Sequence, residues 1–226
     1  MPSLPLASAI FPAFFTGRNY IIDAFATGSP DRAPSAVVTT ADSMFKLRKT
    51  TPGDPLIVTM AAVQPGDRLL ILGSDPPRAV AQLALKPGLN GRACIVDEDA
   101  QRVDRAAALA ESEGALVEPH TSPVTTLPYE GESFDVVVVN HLLTRLEAGR
   151  RAQCVAEAVR VTRGGGRCVV IQSGRRGGLA RLFGGNLMPA TEVEVLLRAA
   201  GLRAVHTLAE REGLLFVEGA RGSVAR

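Results

Sequence analysis

Phe134-Asp135-Val136-Val137-Val138-Val139 is the segment that most restricts the fold of this chain. Four consecutive valines leave no polar face for solvent, so the run suits a strand covered on both sides. Gly131-Glu132-Ser133 forms a turn before it, and weaker runs of the same kind recur from residue 64 onward. Gln64-Pro65-Gly66-Asp67 is a turn that leads into Arg68–Leu72, followed by apolar runs at Ala93–Val96 and Ala115–Glu118. After the Gly164-Gly165-Gly166 turn comes another, Arg167–Gln172.

Helical segments separate these runs. One spans Arg78–Leu85 behind Pro76 and Pro77, which suit a helix start because the first N–H groups have no intrahelical partner. Others span Asp99–Glu113, closed by Gly114, then Glu147–Val161, then Thr191–Ala200, closed by Gly201. Alternation of strand and helix predicts an α/β fold, a largely parallel sheet with helices on both faces. The last two runs, Arg203–Leu208 and Leu214–Val217, are joined by a link too short for a crossover and are therefore antiparallel.

Composition excludes several classes. Among 226 residues, 46% are hydrophobic and 21% charged, the balance of a packed domain and not of a disordered chain. A net charge of +2, aromatics at 4% and no Trp argue against a nucleic-acid partner. Cys94, Cys154 and Cys168 each sit in an apolar run, without zinc-ligand spacing, which predicts free thiols in a reducing, cytoplasmic setting. His120 and His206 have no ligand partner at suitable spacing, so no metal is expected.

The N-terminal segment, residues 1–55, reads as a cap or lid ahead of a main domain over 56–226. Its apolar stretch around Leu4–Phe15 is interrupted by Pro5 and Pro12, lacks a basic start and is too short to span a membrane. Ser43–Lys49, between two Gly/Pro-rich breaks, reads as a short basic helix. The run Phe11, Phe14, Phe15, Tyr20 and Phe25 either closes over a site or packs on the sheet, and a shallow membrane contact would use the same surface. Arg175, Arg176 and Arg181, set among glycines, read as a solvated loop or as a surface for an anionic substrate or phospholipid.

Three segments carry a resemblance to a known family: Gly66–Gly73 (GDRLLILG), Ile95-Val96-Asp97, and Leu127–Val137 (LPYEGESFDVV). They resemble class I S-adenosylmethionine-dependent methyltransferases, and most closely the small-molecule branch that includes quinone-biosynthesis enzymes. Arg160–Arg167 matches the turn before that family's fifth strand, and Leu214–Arg221 is similar to its antiparallel last strand. The resemblance covers about residues 60 to 221. It implies a Rossmann-like, seven-stranded sheet, mostly parallel with an antiparallel final strand.

It also implies S-adenosylmethionine as cofactor, bound at the carboxyl ends of the strands. Gly73, Ser74 and Asp75 stand in the family's glycine-rich turn, where Gly73 matches the first glycine while Asp75 and Pro77 replace the next two. Ile71 stands where an acidic residue is common. Asp97, followed by Glu98, takes the place of the acid that accepts the ribose hydroxyls; it stands 24 residues beyond Gly73 (97 − 73), near the roughly 20 of the related dinucleotide fingerprint. A helix-capping role for Asp97 is the alternative. Ser122 and Val124 flank Pro123, which replaces the family's adenine-contacting aspartate.

Asn140 and His141 follow the strongest strand and face cofactor and substrate in the family. His141 is the candidate general base, or else packs beneath the cofactor. The expected activity is methyl transfer to a small-molecule acceptor, with a hydrophobic acceptor suggested by the aromatic N-terminal run. The alternative is an inactive scaffold that does not use the cofactor. A nicotinamide-linked oxidoreductase is disfavoured, because no G-x-G-x-x-G turn is present.

Overall fold

The computed structural model describes residues 55–174 and 187–223. Apart from Pro55, the segment expected as an N-terminal cap lies outside the described residues. So do the 43–49 helix and the Arg175, Arg176 and Arg181 cluster.

A short helix, α1 (Leu56–Ala61), precedes β1 (Arg68–Leu72). Then follow α2 (Pro77–Ala84), β2 (Arg92–Asp97), α3 (Ala100–Ser112), β3 (Glu118–Thr121) and β4 (Phe134–Asn140). A one-turn 3-10 helix, Leu143–Arg145, leads to α4 (Ala148–Val161), β5 (Thr162–Ser173), α5 (Ala190–Ala199), β6 (Arg203–Arg211) and β7 (Leu214–Ala220). The strands form one seven-stranded sheet in the order β3-β2-β1-β4-β5-β7-β6. Strands β1 to β5 pair in parallel, and β7 runs antiparallel to both of its neighbours.

Period-two alternation sorts the strand side chains into two cores. Leu70, Leu72, Val96, Val137, Val139 and Val170 point to one face, where α4 and α5 supply Val155, Ala158, Val193 and Leu197. Leu69, Ile71, Ile95, Val136, Val138 and Ile171 point to the other, against α1, α2 and α3. The valine run of β4 therefore feeds both faces. At about 25 cal/mol per Å² of apolar surface removed from water, such two-sided burial dominates the stability of this sheet.

Three local expectations change. The third strand begins at Glu118 instead of Ala115, and the helix end before it explains why. Gly114, at φ 92°, donates to the Glu111 carbonyl at 3.0 Å, while Ala115 N–H reaches back to Ala110 at 2.9 Å. That closure is a Schellman motif and occupies Ala115, so pairing with β2 starts only where Glu118 meets Cys94. The Gly164–Gly166 segment, expected as a turn, is part of β5; a register shift against β4 between Phe134 and Val136 absorbs it. Strands β6 and β7 extend further than expected and meet at Glu212-Gly213, both with positive φ, which suits a tight hairpin.

Candidate functional site

Sheet register builds the site. Leu72 of β1 stands opposite Val96 of β2 on one side and Val139 of β4 on the other. The next residues along, Gly73, Asp97 and Asn140, therefore end three neighbouring strands in one row. Order reverses between β1 and β4, which makes this row the topological switch point where open α/β sheets place their ligands.

The loop after β1 is tied down at each residue. Gly73 N–H donates to the Val96 carbonyl at 2.8 Å, and Ser74 N–H to Asp97 Oδ2 at 2.9 Å. The Asn140 side-chain amide donates to the carbonyls of Gly73 at 3.3 Å and Asp75 at 2.8 Å. Gly73 adopts φ 97°, and a Cβ there would lie 2.3 Å from the Asn140 carbonyl oxygen, so only glycine fits. Pro76 caps α2 and Pro77 begins it, so these positions bring no N–H to the crevice.

Asp97 is 1% exposed and carries four contacts. Oδ2 accepts from Ser74 N–H and from Arg145 at 3.3 Å; Oδ1 accepts from Asp99 N–H at 3.2 Å and from Arg102 at 3.0 Å. Burial alone would push this carboxyl up. The Ser74 N–H, Arg102, the Asp99 N–H and Arg145 outweigh it and hold the carboxyl below its ordinary range. Helix capping falls to Asp99, which accepts from the N–H of Arg102 at 3.2 Å.

The remaining expected residues join the same network. Ser122 N–H donates to the Asp97 carbonyl at 3.1 Å, and its hydroxyl to the Thr126 carbonyl at 3.4 Å. Val124 N–H donates to Glu98 Oε1 at 3.2 Å, while its side chain is fully buried in the α4-side core. Glu98 also pairs with Arg150. His141 takes φ 48°, and its N–H donates to the Ile171 carbonyl at 2.7 Å. Burial first, and then the Arg145 cation, push its imidazole below the ordinary 6.5, with Asp75 opposing. The neutral ring is therefore the dominant form at neutral pH.

Two buried polar atoms in this row, Ser74 Oγ and Asn140 Oδ1, have no hydrogen-bond partner in the protein. Sequence reasoning overlooked Arg102, Arg145 and Arg150. Arg102 could have been found, because it lies in the first turn of the helix that Asp99 caps. Arg145 comes from a one-turn helix beyond His141, with no local pattern pointing back to Asp97.

Other chemistry is accounted for. Among the described residues no group of three His, Cys, Asp or Glu could hold a metal ion, and no helix is long and apolar enough to cross a membrane. The three cysteines are free and buried. At the opposite end of the strands a shallow cleft is lined by Asp67, Asp135, Arg163 and Arg167. There Asp135 is paired with Arg68 and Arg163, and Arg167 closes the carbonyls that end α1.

Residues 73–170 match the family model described as a methyltransferase domain. An uncharacterized 37.1 kDa protein in transposon TN4556 of Streptomyces fradiae is 34% identical over 107 residues, which cover 47% of this chain. The aligned region is only 30% of that relative's length. Among solved structures, an S-adenosylmethionine-dependent methyltransferase from Aquifex aeolicus superposes with a TM-score of 0.62 at 18% identity, over 73% of this chain and 87% of its own. The 4+2 cyclase SpnF superposes with a TM-score of 0.58 at 16% identity, over 75% and 79%. These two are likenesses of fold. The matched family segment begins at Gly73 and runs through Asp97 and Asn140, the three strand ends that form the row. Residues 73–170 therefore match a methyltransferase domain, carried on a sheet whose fold the chain shares with these solved structures.

Proposed function

We propose that this protein transfers a methyl group from S-adenosylmethionine to a small acceptor, and that residues 56–226 form the domain responsible. The observation that carries the reading is the row Gly73, Asp97 and Asn140 at the switch point, with a buried acceptor carboxylate at its centre. The cofactor is tested against the orphaned buried atoms beside that row. Ser74 Oγ and Asn140 Oδ1 need partners that the protein does not supply, and a polar ligand in the crevice supplies them. The donor set fits.

In this reading Asp97 accepts the ribose hydroxyls, and Gly73 lets the backbone approach the ligand without a side chain. Ser74 and Asp75 line the amino-acid end. Glu98, through its hold on Val124 N–H, shapes the adenine side with Ser122. When bound, the cofactor supplies an electrophilic methyl group on a sulfonium centre. His141, kept neutral by burial, accepts a proton from an acceptor hydroxyl or amine, and alignment of the two reactants supplies the rest. The aromatic residues Phe11, Phe14, Phe15, Tyr20 and Phe25 of the N-terminal sequence favour a hydrophobic acceptor.

A second reading has its own support. Pro76 and Pro77 remove N–H groups from the helix start, and a cyclase with this fold shows that the sheet alone does not dictate methyl transfer. In that reading the protein is a scaffold that does not use the cofactor. Calorimetric titration with S-adenosylmethionine and S-adenosylhomocysteine separates the two. Micromolar binding, weakened at least about tenfold in Asp97→Ala, supports the enzyme. An absence of binding at millimolar ligand overturns it.

A further inference from the structure

Asp97 has no acceptor capacity left. A carboxylate offers about four lone-pair sites, and four donors already occupy them. Given the function proposed above, a ribose diol reaches this carboxylate only by displacing one of them. Ser74 N–H and Asp99 N–H belong to the backbone and cannot leave without unmaking the loop and the start of α3.

The two arginines differ. Arg102 is anchored on the 13-residue helix α3, lies 3.0 Å from Oδ1, and is held also by Asp99 at 3.5 Å and Asp75 at 3.7 Å. Arg145 comes from a three-residue 3-10 helix, makes the longer contact at 3.3 Å, and has a side chain 31% exposed to water. It has a second partner in Asp75 Oδ2 at 3.5 Å, so it can release Asp97 while its charge remains compensated. Arg145 also shares Oδ2 with Ser74 N–H, the oxygen on the loop side of the crevice.

We propose that Arg145 sets the affinity of the ribose subsite, by occupying Asp97 in the free protein and yielding it to the hydroxyls of the bound nucleoside. Binding is then an exchange of an ion pair for two hydroxyl hydrogen bonds. This has an unusual electrostatic consequence. Adenosine carries no charge, so its own attraction to the site is insensitive to salt, yet the ion pair it must break is screened by salt. Its affinity rises with ionic strength.

The test is titration of wild type and Arg145→Met with adenosine and S-adenosylhomocysteine, each at low and high sodium chloride. Methionine keeps much of the arginine stem and removes the charge. The expected result is adenosine binding about fivefold tighter in Arg145→Met, the size of a partly exposed ion pair. Wild-type adenosine affinity rises with salt, and that rise disappears in the variant. Unchanged or weaker adenosine binding in a folded Arg145→Met overturns the proposal. If the variant does not fold, the wild-type salt series decides: a rise supports the competition, and a flat or falling series overturns it. Wild type that binds S-adenosylhomocysteine without these effects leaves the proposed function standing and removes the role of Arg145. Wild type that binds neither ligand overturns both.

Discussion

The side-chain amide of Asn140 donates at 2.8 Å to the backbone carbonyl of Asp75, joining the end of β4 to the loop after β1 across 65 residues of sequence. The same amide reaches the Gly73 carbonyl, and Asn140 is fully buried. One side chain thus fixes a loop that carries Asp75 and Pro77 where the family it resembles has glycines.

Replacing Asn140 tests that clamp. Asn140→Ala leaves two loop carbonyls without their donor at a cost of about 1–3 kcal/mol each at most, less where water enters. Asn140→Asp is the more damaging change despite its equal size, because it sets a buried carboxylate against two carbonyl oxygens. Urea denaturation should rank stability as wild type, then Ala, then Asp. An Asp variant as stable as the Ala variant would show that the loop rearranges freely.

A pair of glycines separates backbone strain from packing. Gly66 has φ 91° with nothing within 4 Å of an added Cβ, whereas Gly73 has φ 97° and the Asn140 carbonyl 2.3 Å from it. Gly66→Ala bears only the cost of a positive φ, about 1 kcal/mol. Gly73→Ala bears that cost and must also push the ends of β1 and β4 apart, next to the Ser74 N–H that holds Asp97. Thermal melts should show a small loss for the first and a much larger one for the second, with ligand binding weakened only in the second.

The strands were legible because their signal is local. Phe134–Val139 announces a two-sided strand by composition alone, and the cores on its two faces are the reason that pattern exists. Gly73, Asp97 and Asn140 were legible through motif positions that the register then aligned. What lies between side chains was not. Arg145 meets Asp97 from 48 residues away, and its sequence context, Leu-Leu-Thr-Arg, is that of any amphipathic turn. The misplaced start of β3 has a different origin: Ala115 and Val117 have strand-like composition, but the helix closure at Gly114 had already used Ala115. Local propensity lost there to a hydrogen bond across the helix end.

His141 gives a pH test of the proposed chemistry. Burial, reinforced by Arg145, lowers its imidazole below 6.5, so the folded protein binds this proton less readily than the unfolded chain. Its contribution to stability is fully present above pH 6.5, and is lost as pH falls toward and through the lower folded value. If the ring is the base, methyl transfer under subsaturating acceptor follows the same ionisation: flat at neutral pH and falling on the acid side. His141→Asn suits the positive φ, since asparagine enters that region more readily than most residues. It should reduce turnover about a hundredfold, remove the acid limb, and leave S-adenosylhomocysteine affinity near wild type. Turnover retained in His141→Asn, with the acid limb intact, would assign the rate to alignment of the reactants and leave His141 a packing role.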